Sequence, residues 1–199
     1  MANNLRVFNT NSEYQSADLV HPAVSYVIET DKVHYEPTPP TPVFQGKWKA
    51  TYSDSHVESA HCNSSSEIRQ FEINKQDLAS VEIGDCVTSI GNLAFQICSS
   101  LTSVTIGDGV TSIGEGAFET CRSLTSVTIP SGVTSIYNRV FYQCVSLTSI
   151  TVNAVTPPSL IGNLVFESTN NCPIYVPSAS VDAYKSAWSQ YASRIQPIP

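Results

Sequence analysis

The sequence predicts a repeat solenoid: short parallel β rungs joined by short helical turns, closed by a C-terminal helix and preceded by a small N-terminal β module. Three observations predict it. First, LTSVTIGDGVTSIGEGAFETCRS (101–123) is followed at once by LTSVTIPSGVTSIYNRVFYQCVS (124–146). Second, Cys98, Cys121 and Cys144 recur 23 residues apart, each three residues after Phe95, Phe118 and Phe141. Third, each copy carries an apolar–polar–apolar triplet such as Val104-Thr105-Ile106, the pattern of a strand with one buried face.

From the N-terminus, residues 1–36 form a module of their own. Val24–Ile28 and Val33–Tyr35 read as a hairpin around Thr30-Asp31-Lys32. So small a unit buries too little to be very stable alone, so it is expected to anchor or oligomerise through Phe8, Tyr14, Tyr26, Val33 and Tyr35. Residues 37–46 hold the Pro-rich run PTPPTPVFQG, an extended and semi-rigid linker. Residues 47–77 are expected to cap the first rung, with strands at Trp48–Tyr52 and Gln70–Ile73 around a polar middle. A cap is needed because an open first rung leaves unpaired backbone groups.

Four copies begin at Leu78, Leu101, Leu124 and Leu147 and, with a last strand, run to residue 176. The shared pattern is L-x-S-[VI]-x-[IV], a turn, V-T-S-I, a polar turn, then [AV]-F-x-x-C-x-S. One copy cannot bury its own apolar face, so the copies must stack and share a core. The strands Val81–Ile83, Val104–Ile106, Val127–Ile129, Ile150–Val152 and Ile174–Val176 then form a parallel sheet. Val110–Ile113 is a second extended piece, and Ala117-Phe118 with Cys121 begins a helical turn. The fourth copy drifts: it holds two extra residues before Phe166 and has Thr169 at the cysteine position. Residues 177–199 form the second cap. Ser180 is the helix N-cap, and Val181, Tyr184, Trp188, Tyr191 and Ile195 fall on one helical stripe.

These copies resemble the BspA-like leucine-rich repeats of bacterial surface proteins of the Bacteroides and Treponema kind. The ending NNCPIYVPSASVDAYKSAWSQYASRI resembles the usual C-terminal cap of that family. The resemblance covers residues 78–195 and implies a leucine-rich-repeat fold; it carries little about function, because a solenoid is a scaffold. The order F-N-T…E-Y…P-x-V-S…V-x-Y-x-P before a Pro-rich linker is also similar to N-terminal modules on structural proteins of gut Bacteroides phages and prophages.

Composition and motifs narrow the function. Net charge is −7, and no lysine stands between Lys75 and Lys185, which argues against nucleic acid as a partner. No apolar run approaches the roughly 18 residues of a membrane span, so no membrane insertion is expected. The N-terminus MANNLRVFNTNSEY lacks the basic-then-apolar order of a signal peptide, which favours a virion protein assembled in the host cytoplasm over an exported surface adhesin. The three in-register cysteines read as small buried hydrophobes, whereas Cys62, Cys86 and Cys172 leave a disulfide open. All four histidines (His21, His34, His56, His61) lie outside the copies, and no G-x-S-x-G is present. His56, His61 and Cys62 lack the further ligands of a zinc site. Asp85 and Asp108 recur at one turn and read as turn formers rather than calcium ligands. No cofactor and no metal are expected.

The outward positions of the rungs are Ser80 and Glu82, Ser103 and Thr105, Ser126 and Thr128, Ser149 and Thr151. Stacking places them in rows about 4.8 Å apart. They form either a neutral surface for a glycan or host protein, or simply a solvated sheet face. The expectation is a non-enzymatic adhesion protein, displayed on a phage virion or, alternatively, on a bacterial surface. A homo-oligomer, with a trimer as one form, is expected through residues 1–45. A purely structural virion component is the remaining reading.

Overall fold

The computed structural model describes residues 47–55, 57–60, 67–68, 75 and 77–199. Phe8, Tyr14, Tyr26, Val33, Tyr35, the four histidines, Cys62 and the strand expected at 70–73 lie outside the described residues. In chain order the strands are β1 (Trp48–Tyr52), β2 (Val57–Ala60), β3 (Glu67–Ile68), β4 (Leu78–Ile83), β5 (Ser89–Ile90), β6 (Ser103–Ile106) and β7 (Ser112–Ile113). They continue with β8 (Ser126–Ile129), β9 (Ser135–Tyr137), β10 (Ser149–Val152), β11 (Ser159–Ile161) and β12 (Ile174–Val176). Helix α1 (Val181–Ala187) and β13 (Ile195–Pro197) complete the chain.

Each copy gives one strand to each of two sheets. The first is eight-stranded in the order β13-β12-β10-β8-β6-β4-β1-β2, and the second is five-stranded in the order β11-β9-β7-β5-β3. Neighbouring copies pair parallel and in register, Ser80 with Ser103, Val81 with Val104, Ser126 with Ser149. The register follows from the alternation: a slip by one residue would turn Val104 and Ile106 out to water and Thr105 into the core. The inward Val and Ile of the first sheet and Ile68, Ile90, Ile113 and Ile136 of the second join one hydrophobic core.

The third side of each coil is a tight turn carrying Phe and Cys. Phe95, Phe118, Phe141 and Phe166 stack with ring centroids 5.1, 5.5 and 5.8 Å apart and nearly parallel planes. Within a turn, Cys121 N donates to Phe118 O; between turns, Phe118 N donates to Val140 O and Thr120 N to Tyr142 O. The alternation needs left-handed residues, and Ile97, Thr120 and Gln143 sit at φ of 63°, 62° and 59°. Right- and left-handed residues in turn aim every second N–H at the following coil, so this side is hydrogen-bonded between copies as well.

The N-terminal end is closed by β1, which lies antiparallel on β4 with a bulge at Thr51/Tyr52. β2 pairs antiparallel with β1 where the sequence reading had only a polar loop. Its residues are mostly exposed, so pairing with β1 rather than burial makes it a strand, and no hydrophobic alternation announces it. Lys75 reaches in to donate from Nζ to Leu93 O at 2.7 Å.

The C-terminal end differs from expectation in two ways. The helix stops at Ala187, because Trp188 leaves helical geometry at φ −111°, ψ 50°; Tyr191 follows in a 3-10 turn and Ile195 in β13, itself parallel to β12. Ser180 stands at the N-cap but makes no side-chain capping bond. The aromatic stripe is buried nonetheless, and each polar tip satisfies a backbone group of the fourth copy. Tyr184 Oη donates to Ala154 O at 2.7 Å and Trp188 Nε1 to Pro158 O at 2.9 Å. Tyr191 Oη donates to Asn163 O and accepts from Phe166 N, both at 3.2 Å. Arg194 closes the column: Nε donates to Cys172 O at 2.8 Å, Nη1 to Phe166 O at 3.0 Å and Nη2 to Thr169 Oγ1 at 2.8 Å. Pro197 stands in this last strand; without an N–H it blunts the outer edge.

Candidate functional site

The copies bury their cysteines and keep their threonines at the surface, and the two kinds of position work differently. Cys98, Cys121 and Cys144 are fully buried. Cys121 Sγ donates to Phe95 O and Cys144 Sγ to Phe118 O, each at 3.1 Å. These thiols are structural donors between coils. Burial pushes the Cys144 thiol up to about 12. The side-chain hydrogen bond with Cys98, together with burial, raises Cys121 well above the ordinary thiol range. Neither is placed to act as a thiolate. Of the three remaining cysteines, Cys86 is disulfide-bonded and Cys172 is free and buried.

The threonines at the coil corners are also structural. Thr102 Oγ1 donates to Ala79 O, Thr125 to Thr102 O and Thr148 to Thr125 O at 3.0–3.2 Å. Thr111 and Thr134 repeat the arrangement on the second sheet. Asp85 Oδ1 likewise accepts from Asp108 N at 2.9 Å, so the recurring aspartate binds the next turn's backbone, consistent with a turn former.

The hydroxyls of the sheet face are not used in this way. Ser103, Thr105, Ser126 and Thr128 are exposed; Ser80, Glu82, Ser149 and Thr151 are half-buried. None of the six hydroxyls from Ser103 to Thr151 bonds a protein group among the described residues. The rows are longer than the sequence indicated. Lys49 pairs with Glu82 and Thr51 with Ser80, while Tyr175 follows Thr151 and Gln196 follows Tyr175. Lys49 Nζ lies 3.2 Å from Glu82 Oε1. One row therefore runs from an ion pair through neutral hydroxyls to an aromatic and an amide. WKATY already alternates, so Lys49 and Thr51 were accessible from the sequence; their place on this face follows only from antiparallel pairing between β1 and β4.

Among the described residues no three His, Cys, Asp or Glu stand together as a metal site. No helix there is long and apolar enough to cross a membrane.

The sequence matches the family described as BspA type leucine rich repeat region (6 copies) over residues 66–193. No curated protein matches it. Similar solved structures include a leucine-rich repeat protein from Bacteroides ovatus, 25% identical, with a TM-score of 0.45, covering 67% of this chain and 39% of that one. A leucine rich cell surface protein from Faecalibacterium prausnitzii is 27% identical, with a TM-score of 0.33, covering 64% and 45%. The chain spans less than half the length of either. With the 23-residue period, the stacked phenylalanines, the paired parallel strands and a family match over residues 66–193, the chain belongs to the BspA-type leucine-rich-repeat family.

Proposed function

We propose that this is a non-enzymatic adhesion protein displayed at a surface, which engages a host protein or glycan through the outer face of the first sheet. One observation carries the reading. Corner threonines commit their hydroxyls to backbone carbonyls, whereas the hydroxyls from Ser103 to Thr151 have no such partner. Nothing in the stacking of the coils requires hydroxyls at those positions. An array of unengaged donors and acceptors on rigid strands is what a solenoid uses to hold a partner.

The Cys86 disulfide supports display on a cell rather than assembly inside one, since disulfides persist in oxidising surroundings. Leucine-rich-repeat domains of this family serve protein–protein interaction, typically at the cell surface. Residues 1–36 would provide the anchor or the homo-oligomer contact, and the phage-virion version of the proposal rests on that module.

The test is binding of the full chain to host cells and to a glycan array, beside the triple variant Thr105→Lys, Thr128→Lys, Thr151→Lys. The positions are exposed or half-buried and lie outside the core, and far-UV circular dichroism of the variant checks that it folds. The expected result is a loss of binding of about tenfold or more. Equal binding by the variant would remove the face from the proposal, and absence of any bound cell or glycan would favour a structural role.

A further inference from the structure

The repeat is broken at one place on the second sheet, and the break forms a groove. The position after the strand isoleucine is Gly91 and Gly114 in the first two copies, but Tyr137 in the third. A Cβ on Gly91 would stand 2.6 Å from Ile68 O, and one on Gly114 2.6 Å from Asn92 Oδ1. Those coils are closed over their glycines. In the third copy β9 extends to Tyr137, whose partner in register is Ile161 of β11. Both side chains are exposed, 40% and 44%. One of the two residues added to the fourth copy precedes β11 and the other lies just beyond it, between Ile161 and Phe166, and Gly162, at φ 116°, lets the chain pass close against the Asn138 side chain. The result is an open groove of about 450 Å³ lined by Glu115, Tyr137, Asn138, Ile161, Gly162, Asn163 and Leu164.

The polar groups of the groove are arranged unequally. Asn92 Oδ1 accepts from Glu115 N at 2.9 Å and Asn138 Oδ1 from Leu164 N at 3.3 Å, so these amides cap the following coil. Glu115 occupies the equivalent place in the second copy, yet its carboxylate makes no such bond among the described residues, and neither does the Asn163 amide. An exposed tyrosine ring thus sits beside one unengaged carboxylate and one unengaged amide. No lining residue is cationic. The repeat does not call for the ring, since Tyr137 is exposed and its equivalents in the first two copies are glycines.

We propose that this groove is a saccharide site taking a neutral pyranose unit, with the ring of Tyr137 against the sugar's C–H face and Glu115 and Asn163 bonding its hydroxyls. Charge and shape favour this class. The lack of a cation disfavours phosphate, sulfate or uronate ligands. A lining that holds a carboxylate and two amides in an open groove disfavours a lipid. A rigid aromatic surface with a few directed polar groups suits a polyhydroxyl ring. The site lies on the second sheet and is independent of the hydroxyl face of the first.

The experiment uses the full chain, with amide NMR shifts of Gly162 and Asn163 followed during titration with cellotetraose, maltotetraose and N-acetyllactosamine at up to millimolar levels. At least one sugar should give saturable shifts at those two residues. Tyr137→Ala should weaken it at least about tenfold, Tyr137→Trp should retain it, and Glu115→Gln should weaken it less. Each variant should still melt cooperatively, because neither residue belongs to the buried core. Absence of shifts with all three sugars, or equal affinity in Tyr137→Ala, would overturn the assignment. So would a protein ligand lost in Tyr137→Ala while the sugars stay silent.

Discussion

Cys121 offers the most direct measure of how the coils hold one another. Its thiol is fully buried and donates to Phe95 O at 3.1 Å. Cys121→Ala removes one sulfur from a packed interior. The lost transfer free energy is about 1 kcal/mol. The cavity, of order one heavy atom, adds on the order of 0.5 kcal/mol, and the weak S–H···O bond about 0.5 kcal/mol. No orphan-acceptor penalty is added, because Phe95 O also accepts from Cys98 N at 3.3 Å. The expected loss is therefore about 2 kcal/mol, measured as a shift of the urea midpoint at unchanged slope. The same protein gives a second readout. Native Cys121 should react with a thiol reagent only as fast as the solenoid opens, with peptide mapping separating it from Cys98, Cys144 and Cys172. Labelling of native Cys121 within the mixing time, or a loss above about 4 kcal/mol, would refute the picture of a thiol sealed between two coils.

Two further predictions follow from the same column of buried groups. The Cys144 thiol is raised from an ordinary 9.0 to about 12 by burial, so the folded state prefers the protonated form; that contribution is complete below about pH 9 and is lost as pH climbs through about 12. Urea midpoints should fall across that window, and Cys144→Ala should flatten the fall; a flat profile in the unsubstituted protein would contradict the burial. Arg194 holds two carbonyls and Thr169 with three separate nitrogens. A lysine cannot span that fork, so Arg194→Lys should lose about 2–3 kcal/mol and expose residues 189–199 to protease, whereas an unchanged melting temperature would show that the fork contributes nothing.

The repeat was legible because its physics is local and copied. A 23-residue period, alternation in Val104-Thr105-Ile106 and the Phe-x-x-Cys spacing fix the stacking, the parallel sheet, the buried column and the outward hydroxyl rows. Each copy needs its neighbour to bury the same face, so one coil's pattern predicts the whole array. The ends were less legible, since they are written once and depend on partners distant in sequence. β2 is mostly exposed and exists through pairing with β1. Trp188 leaves the helix, and its Nε1 reaches Pro158 O. Arg194 carried no sequence signal, because its three acceptors converge only after the fourth copy and the final turns have folded together. The same holds for the site. The sequence determined which hydroxyls point outward. Only the tertiary structure decided which are free, because a hydroxyl's partner is a backbone carbonyl one coil away. It also decided that Tyr137 and Ile161, apolar residues 24 positions apart in the chain, stand side by side at the surface.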